Sequence, residues 1–322
     1  MEKMTLQLFA FFMALFMIVV FTACHDDPDK PDKPDAGIYN PSKKISKIYI
    51  QYDGELKQLS ERWSWDKDKL TKIEYYYDDE YSSSVSFVYD KNRVVEMRHD
   101  DGDYVKITYN KSHYDKMSYY SMDENGAIVL TVNFEYTGNQ IAKIIMAEKD
   151  DTDNYYKKKK QNLLAMFLPK NIVDMQRNRP VSSSNAKTVY TYYTTYEYSY
   201  DKQNVTEIRM SYSSDEPDYH SYPETNSYET YDNKNNPLYN SFVDFACPYS
   251  KNNPIKYSER GKIYSYDAEG FLTIKDRLVE HSTSYIYDGD YPKEARTRIT
   301  NIKPVEHIVF DRTETLFYEY IK

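Results

Sequence analysis

Tyr89-Asp90-Lys91-Asn92-Arg93-Val94-Val95-Glu96-Met97 carries the pattern that decides the fold. An aromatic residue is followed by a turn-forming polar residue. An apolar residue stands five positions after the aromatic, and another three positions later. The same spacing joins Trp65-Asp66 to Leu70 and Ile73, and Tyr109-Asn110 to Tyr114 and Met117. It joins Tyr136-Thr137 to Ile141 and Ile144, Tyr200-Asp201 to Val205 and Ile208, and Tyr266-Asp267 to Phe271 and Ile274. Tyr52-Asp53, Tyr231-Asp232 and Tyr287-Asp288 keep the first half of the unit without its spacing.

The unit reads as a β-hairpin. Val132, Phe134 and Tyr136 alternate with Thr131, Asn133 and Glu135, the period of a strand with one dry and one wet face. Asp or Asn starts the turn by bonding its own backbone. The next strand leaves through the apolar pair, and Ile73, Tyr75 and Tyr77 continue the alternation. Units return every twenty to thirty residues or so, the range of repeat architectures. A single hairpin is marginal, but a row of them makes a sheet. The expectation is an all-β fold: an extended, curved antiparallel meander of hairpin repeats over residues 41–322, as one domain. Tyrosine supplies 37 of the 322 residues. It suits such a sheet because its ring packs across strands while its hydroxyl stays wet.

Residues 155–180 break the pattern. Two tyrosines and four lysines lead into Asn162-Leu163-Leu164-Ala165-Met166-Phe167-Leu168-Pro169. The apolar cluster is dense for a free loop, and Pro169 stops a helix. A short helical or loop insertion packed on the concave face is expected here, with a possible division into two sub-sheets near 155–187.

The N-terminus reads as a lipoprotein leader. Lys3 precedes an uncharged apolar run from Leu8 to Phe21, and Phe21-Thr22-Ala23-Cys24 closes it with small residues before a cysteine. That is the pattern of a secretion signal over residues 1–23, with Cys24 as the lipidated residue; the alternative is an uncleaved membrane helix, for which the run is short. Residues 24–40 then alternate proline with charge, as in Asp29-Lys30-Pro31-Asp32-Lys33-Pro34, and read as an extended tether. The expected location is the outer membrane, exposed at the cell surface, with a periplasm-facing lipoprotein as the alternative.

These features resemble two families. The Tyr-Asp unit is similar to the YD repeats of RHS-type proteins, although their regular glycines are mostly absent, with 8 in the chain. The leader, the acidic tether, Tyr231-Asp232-Asn233-Lys234-Asn235-Asn236-Pro237, Lys251-Asn252-Asn253-Pro254-Ile255-Lys256 and Tyr264-Ser265-Tyr266-Asp267-Ala268-Glu269-Gly270-Phe271 resemble Bacteroidota lipoproteins carrying a domain of unknown function described as porin-like. The resemblance implies a fold and a location, and no catalytic residues. Strands such as Thr206-Glu207-Ile208-Arg209 carry charge where a membrane barrel needs an outward apolar band. "Porin-like" is therefore expected to describe a shape and not a pore.

Chemistry-bearing patterns are few. His25, His99, His113, His220, His281 and His307 have no ligand spacing, and there is no phosphate loop or nucleophile elbow. Asp100-Asp101-Gly102-Asp103 and Asp150-Asp151-Thr152-Asp153-Asn154 read as solvated turns and not as calcium loops, which need six or more converging oxygens. Cys247 remains alone once Cys24 is consumed, and reads as a small buried hydrophobe. A net charge of -9 argues against a nucleic-acid partner, which wants basic stripes. No cofactor, metal or catalytic residue is expected, and the protein is read as a non-enzyme. The aromatic density is the functional lead: Tyr75, Tyr77, Tyr119 and Tyr192 are candidate ligand-binding residues for an extracellular polymer, a glycan first and a protein second. The alternatives are an envelope assembly accessory that pairs through a free sheet edge at Leu316–Ile321, and, third, a glycan hydrolase.

Overall fold

The computed structural model describes residues 36–122, 125–150, 190–217, 219, 221–241, 250–266, 272–302 and 309–321. Sixteen strands follow one another: β1 Ile45–Tyr52, β2 Gln58–Asp66, β3 Lys69–Tyr77, β4 Glu80–Asp90, β5 Arg93–His99, β6 Tyr104–Asn110, β7 His113–Ser121, β8 Ala127–Thr137, β9 Gln140–Asp150, β10 Tyr190–Asp201, β11 Asn204–Ser214, β12 Glu224–Asn235, β13 Asn252–Tyr266, β14 Leu272–Asp288, β15 Tyr291–Ile302 and β16 Val309–Tyr320. Each pairs antiparallel with its sequence neighbours, and β16 returns to pair with β1. All-β is correct, with no helix among the described residues. The open curved meander is not, because the row of hairpins closes into a barrel. Sixteen twisted strands bring the first beside the last, and closure removes both edges. The free edge expected at Leu316–Ile321 is accordingly absent, since Tyr318 and Leu316 pair with Ile48 and Ile50. The expected insertion at 155–180, Cys247 and the leader lie outside the described residues. The strands flanking that insertion, β9 and β10, pair directly.

The hairpin unit has a structural reason for its odd spacing. Residues three apart cannot share a face of a regular strand, whose period is two. In five of the six units the aromatic pairs with the residue five later: Trp65 with Leu70, Tyr89 with Val94, Tyr109 with Tyr114, Tyr136 with Ile141, Tyr200 with Val205. The sixth departs from the expectation: Tyr266 pairs with Leu272 in a ladder without a register shift, and Ile274 is exposed. In those five the register then shifts, so that Phe87 faces Met97 and Trp63 faces Ile73. The extra residue is a β-bulge, and it returns the second apolar position to the inner face. Lys67, Lys91, Lys111 and Lys202 open the two-residue loops with φ between 53° and 55°, in the left-handed region. Lysine occupies the place that glycine takes in more regular repeats, as Gly138 does here.

Neighbouring units are stitched by the aromatic itself. The Tyr89 hydroxyl donates to the carbonyl of Leu70 at 2.8 Å, Tyr109 donates to Val94, Tyr200 to Ile141 at 3.0 Å and Tyr231 to Val205 at 2.6 Å. Each acceptor is the residue before a bulge, so a backbone group beside the irregularity is satisfied by the next hairpin. The residue opening each exit strand lies over the next ring: Lys69 over Tyr89, Arg93 over Tyr109, His113 stacked on Tyr136.

Inside and outside are the reverse of a membrane barrel. Ile73, Val94, Met97, Ile144, Ile208 and Met210 point inward and are fully buried. The outer wall carries rows of ion pairs, Arg62 and Lys72 on Glu74, Lys143 between Glu135 and Glu197, and Arg209 on Glu207. The outward apolar band of a transmembrane barrel is missing from these strands.

The N-terminal segment closes one end. Ala36 donates to the Ser112 carbonyl at 2.9 Å, the Gly37 amide to the Tyr114 hydroxyl at 2.8 Å, and the Tyr39 hydroxyl to the Pro237 carbonyl at 2.6 Å. Lys43 pairs with Asp288 at 2.7 Å. Gly37 has φ 79°, and a Cβ there would collide with the Tyr109 ring. Residues 36–40, expected as the end of the tether, are thus packed across the turns of the barrel.

Candidate binding cavity

The inner face changes character from β12 onward. In β2–β11 the positions five and eight after each aromatic are large and apolar. After Tyr287 the same register positions are Pro292 and Ala295. The Tyr320 hydroxyl still donates to the Pro292 carbonyl at 2.7 Å, so the unit's bonding survives while its filling shrinks. The space left is a cavity of about 350 Å³. Its wall follows the ladder: Tyr228 faces Tyr257, which faces His281, which faces Ile299, which faces Arg312. The next inward row is Thr283, Thr297 and Glu314, and beyond it Tyr285, Ala295 and Leu316.

The cavity is blind at the end that the N-terminal segment covers. Pro237 and Leu238 form its wall there, with Tyr39 buried beneath them. Asn236 holds that loop by accepting from the Leu238 amide at 3.0 Å and donating to the Ser250 carbonyl at 2.9 Å. Toward the other end Arg312 points inward and is nonetheless exposed, so solvent reaches the inner wall there.

The wall is polar and aromatic at once. Arg277 Nη2 lies 3.1 Å from Glu259 Oε2, and His281 Nε2 lies 3.0 Å from Glu259 Oε1. The second approach lacks hydrogen-bond geometry, and both His281 ring nitrogens are buried without a hydrogen-bond partner. The His281 ring stacks on Tyr257 at 4.0 Å and 8°. Behind this row, Asn226 is completely buried with neither amide atom bonded, and Glu224 keeps one unpartnered oxygen. Gly261 makes Glu224's position possible, because a Cβ there would stand 2.9 Å from Glu224 Cγ. Burial pushes the Glu224 carboxyl up from 4.5 to about 7; Glu259 adds to the rise, and Arg277 opposes it. Burial likewise raises the Tyr257 and Tyr318 phenols far above their usual range, with nearby carboxylates adding to it. Both stay protonated as donors, and among the described residues neither hydroxyl has a hydrogen-bond partner.

The four tyrosines singled out from sequence are not brought together. Tyr75 points inward beside Glu61, on β3. Tyr77 ends the same strand, 75 % exposed. Tyr119 is buried with its hydroxyl on Asp103, and Tyr192 is buried with its hydroxyl on Glu216 at 2.6 Å. The cavity tyrosines 228, 257, 285 and 318 were missed, because alternation does not say which half of a sheet will be underfilled. Pro292 and Ala295 at positions expected to be large were the available signal.

The first acidic run serves the fold. Asp103 is completely buried, takes the Met122 amide at 2.8 Å and binds Tyr119. The second run falls largely outside the described residues. No group of three or more metal-ligating side chains occurs among the described residues.

A closed antiparallel barrel with a charged outer wall and a blind, tyrosine-lined cavity defines the class of this protein. No family model matches the chain, and none of the curated proteins is similar to it. Among solved structures it is similar to a porin-like protein from Bacteroides uniformis, with a TM-score of 0.50 and 10% identity over 89% of this chain and 100% of that one. That likeness concerns the fold: a porin-like barrel.

Proposed function

We propose that the protein is a non-enzymatic glycan-binding protein of the outer membrane, anchored by lipid on Cys24 and holding its ligand inside the barrel. The observation that carries this reading is the cavity itself. Aromatic rings beside hydroxyls, an amide and paired charges suit a sugar, whose ring has an apolar face and a polar rim. The charged outer wall favours a barrel that stands in water, with attachment left to the lipid.

The test is a glycan array with the purified mature chain beside a Tyr257→Ala/Tyr318→Ala double variant. Binding that the variant loses is expected; silence across host and bacterial glycans would sink the reading. Attachment has its own check. Cys24→Ser should abolish lipid labelling and release the protein from membranes, and unchanged attachment would overturn it.

A second reading, an assembly accessory acting by protein contact, has one observation of its own. Among the described residues, eight of the eleven exposed large hydrophobics lie at the end opposite the N-terminal segment: Leu56, Tyr77, Tyr81, Met122, Ile128, Tyr193, Tyr222 and Ile274. An apolar rim of this kind marks contact surfaces. Photo-crosslinkers at Tyr77 and Tyr193 that capture a defined envelope protein, with none captured from Ile286 at the far end, would favour it.

A further inference from the structure

We infer that the cavity reads the terminus of a neutral saccharide chain, about one or two sugar rings deep, and not an internal stretch of a polymer. This rests on the glycan reading above and adds the mode of recognition and the charge of the ligand.

The first argument is topological. A polymer bound along its length needs an open groove or a through-channel. Here the sheet is closed on itself, β1 on β16, so there is no groove along the inner face. Among the described residues, the interior of β2–β11 is filled by buried aliphatic and aromatic side chains. The cavity ends against Pro237 and Leu238, sealed by Tyr39. A chain can therefore enter only by an end. The volume, about 350 Å³, lies at the bottom of the ~300–1,000 Å³ span of small-molecule sites and suits about one or two rings.

The second argument is electrostatic. Two acids and two arginines line the cavity: Glu259, Glu314, Arg277 and Arg312. Arg277 is already held by Glu259. A charged ligand would leave a like charge facing it in a partly dehydrated space, or break that pair. A neutral ligand disturbs neither. Among the described residues, the donors left for it include the Tyr257 and Tyr318 hydroxyls, on β13 and β16, and the N–H of the unpartnered His281 ring, and the aromatic rings beside them can carry the sugar's apolar face.

The experiment is calorimetry on the purified mature chain with gluco-, manno-, xylo- and N-acetylglucosamine oligosaccharides of one, two, four and eight residues. In the series that binds, affinity per molecule should level off by two residues. Tyr257→Phe and Tyr318→Phe, which keep the rings, should each weaken it about tenfold with thermal stability unchanged. Affinity that keeps rising from two to eight residues, or Phe variants that bind like the parent, would overturn terminus recognition while leaving glycan binding intact. Equal affinity for galacturonate oligomers would overturn the neutral-ligand assignment. No binding by any series overturns this inference and the glycan reading together.

Discussion

The two halves of the barrel wall use one hairpin unit to opposite ends. From β2 to β11 the bulged unit sends two large apolar residues inward per hairpin, and the interior is dry. From β12 to β16 the turns, the ring stacking and the hydroxyl-to-carbonyl bond recur, but the inward positions hold Pro292, Ala295, Thr297, Thr283, His281 and Glu259. The comparison teaches that the hydrogen-bonded frame and the filling are separable. Tyrosine hydroxyls hold the frame, so a half of the barrel can lose its packing and keep its shape.

The largest expected difference between the halves is the cost of truncation. Ile144 is fully buried between Phe134 and Tyr196 on the ladder. Ile144→Ala should cost about 2–5 kcal/mol, as removal of a tightly packed branched side chain does. Leu316→Ala removes a side chain that already borders empty space, and should fall below that range. Denaturant unfolding followed by circular dichroism measures both; equal losses would mean that the wet half is as well packed as the dry one.

The second difference is in charge. Glu224 holds its proton up to about pH 7 in the folded state and loses it near 4.5 when unfolded. Between those values the folded state binds the extra proton, so stability from this group falls as pH rises through the window and stays low above it. A shift of this size corresponds to roughly 3 kcal/mol. Glu224→Gln should therefore raise the melting temperature at pH 8 and leave it little changed at pH 4.5. A variant curve parallel to the parent at every pH would show that Glu224 is not strained by burial.

The frame is tested by Tyr89→Phe, which keeps the ring and removes the bond to the Leu70 carbonyl. The expected loss is about 1 kcal/mol, the net worth of one hydrogen bond plus the unsatisfied acceptor it leaves. Tyr231→Phe, at the edge of the wet half, should cost somewhat more, since its hydroxyl donates to the Val205 carbonyl at 2.6 Å and also accepts from the Ser250 hydroxyl at 2.8 Å. A negligible loss at both positions would reduce the hydroxyl ladder to a consequence of packing.

How much of this was legible in the sequence follows the same division. The units at Trp65, Tyr89, Tyr109, Tyr136 and Tyr200 keep strict spacing because a dry interior demands a large residue at each inward position. Local pattern and tertiary burial agree there, and the hairpins read true. Tyr231-Asp232 and Tyr287-Asp288 lost the spacing in sequence where the cavity relaxes that demand, and Tyr266-Asp267, which keeps it in sequence, pairs Tyr266 with Leu272 instead and leaves Ile274 exposed. Their failure to fit was the trace of the site, and it was read only as irregularity. Closure was invisible for another reason. It depends on the twist accumulated over sixteen strands and on the pairing of Ile48 with Tyr318, two residues 270 positions apart, which no local spacing encodes. The preference for exposed tyrosines failed because Tyr119 and Tyr192 spend their hydroxyls on Asp103 and Glu216 inside the wall.

The smallest expected effect has the opposite sign. In the dry half the carbonyl before a bulge is capped by a neighbour's tyrosine at Leu70, Val94 and Ile141. In the wet half Asn226 is completely buried with both amide atoms unbonded, beside an ion pair that already satisfies Glu259. An unpaired amide in such a place is a desolvation cost, and replacing it with a group of similar shape removes the cost. Asn226→Leu should thus leave stability unchanged or raise it by up to about 1 kcal/mol, where Tyr89→Phe lowers it. Denaturant melts of the two variants side by side make the comparison. A loss at Asn226 as large as the loss at Tyr89 would mean that its amide is bonded in solution, and that the two halves satisfy their polar groups equally well.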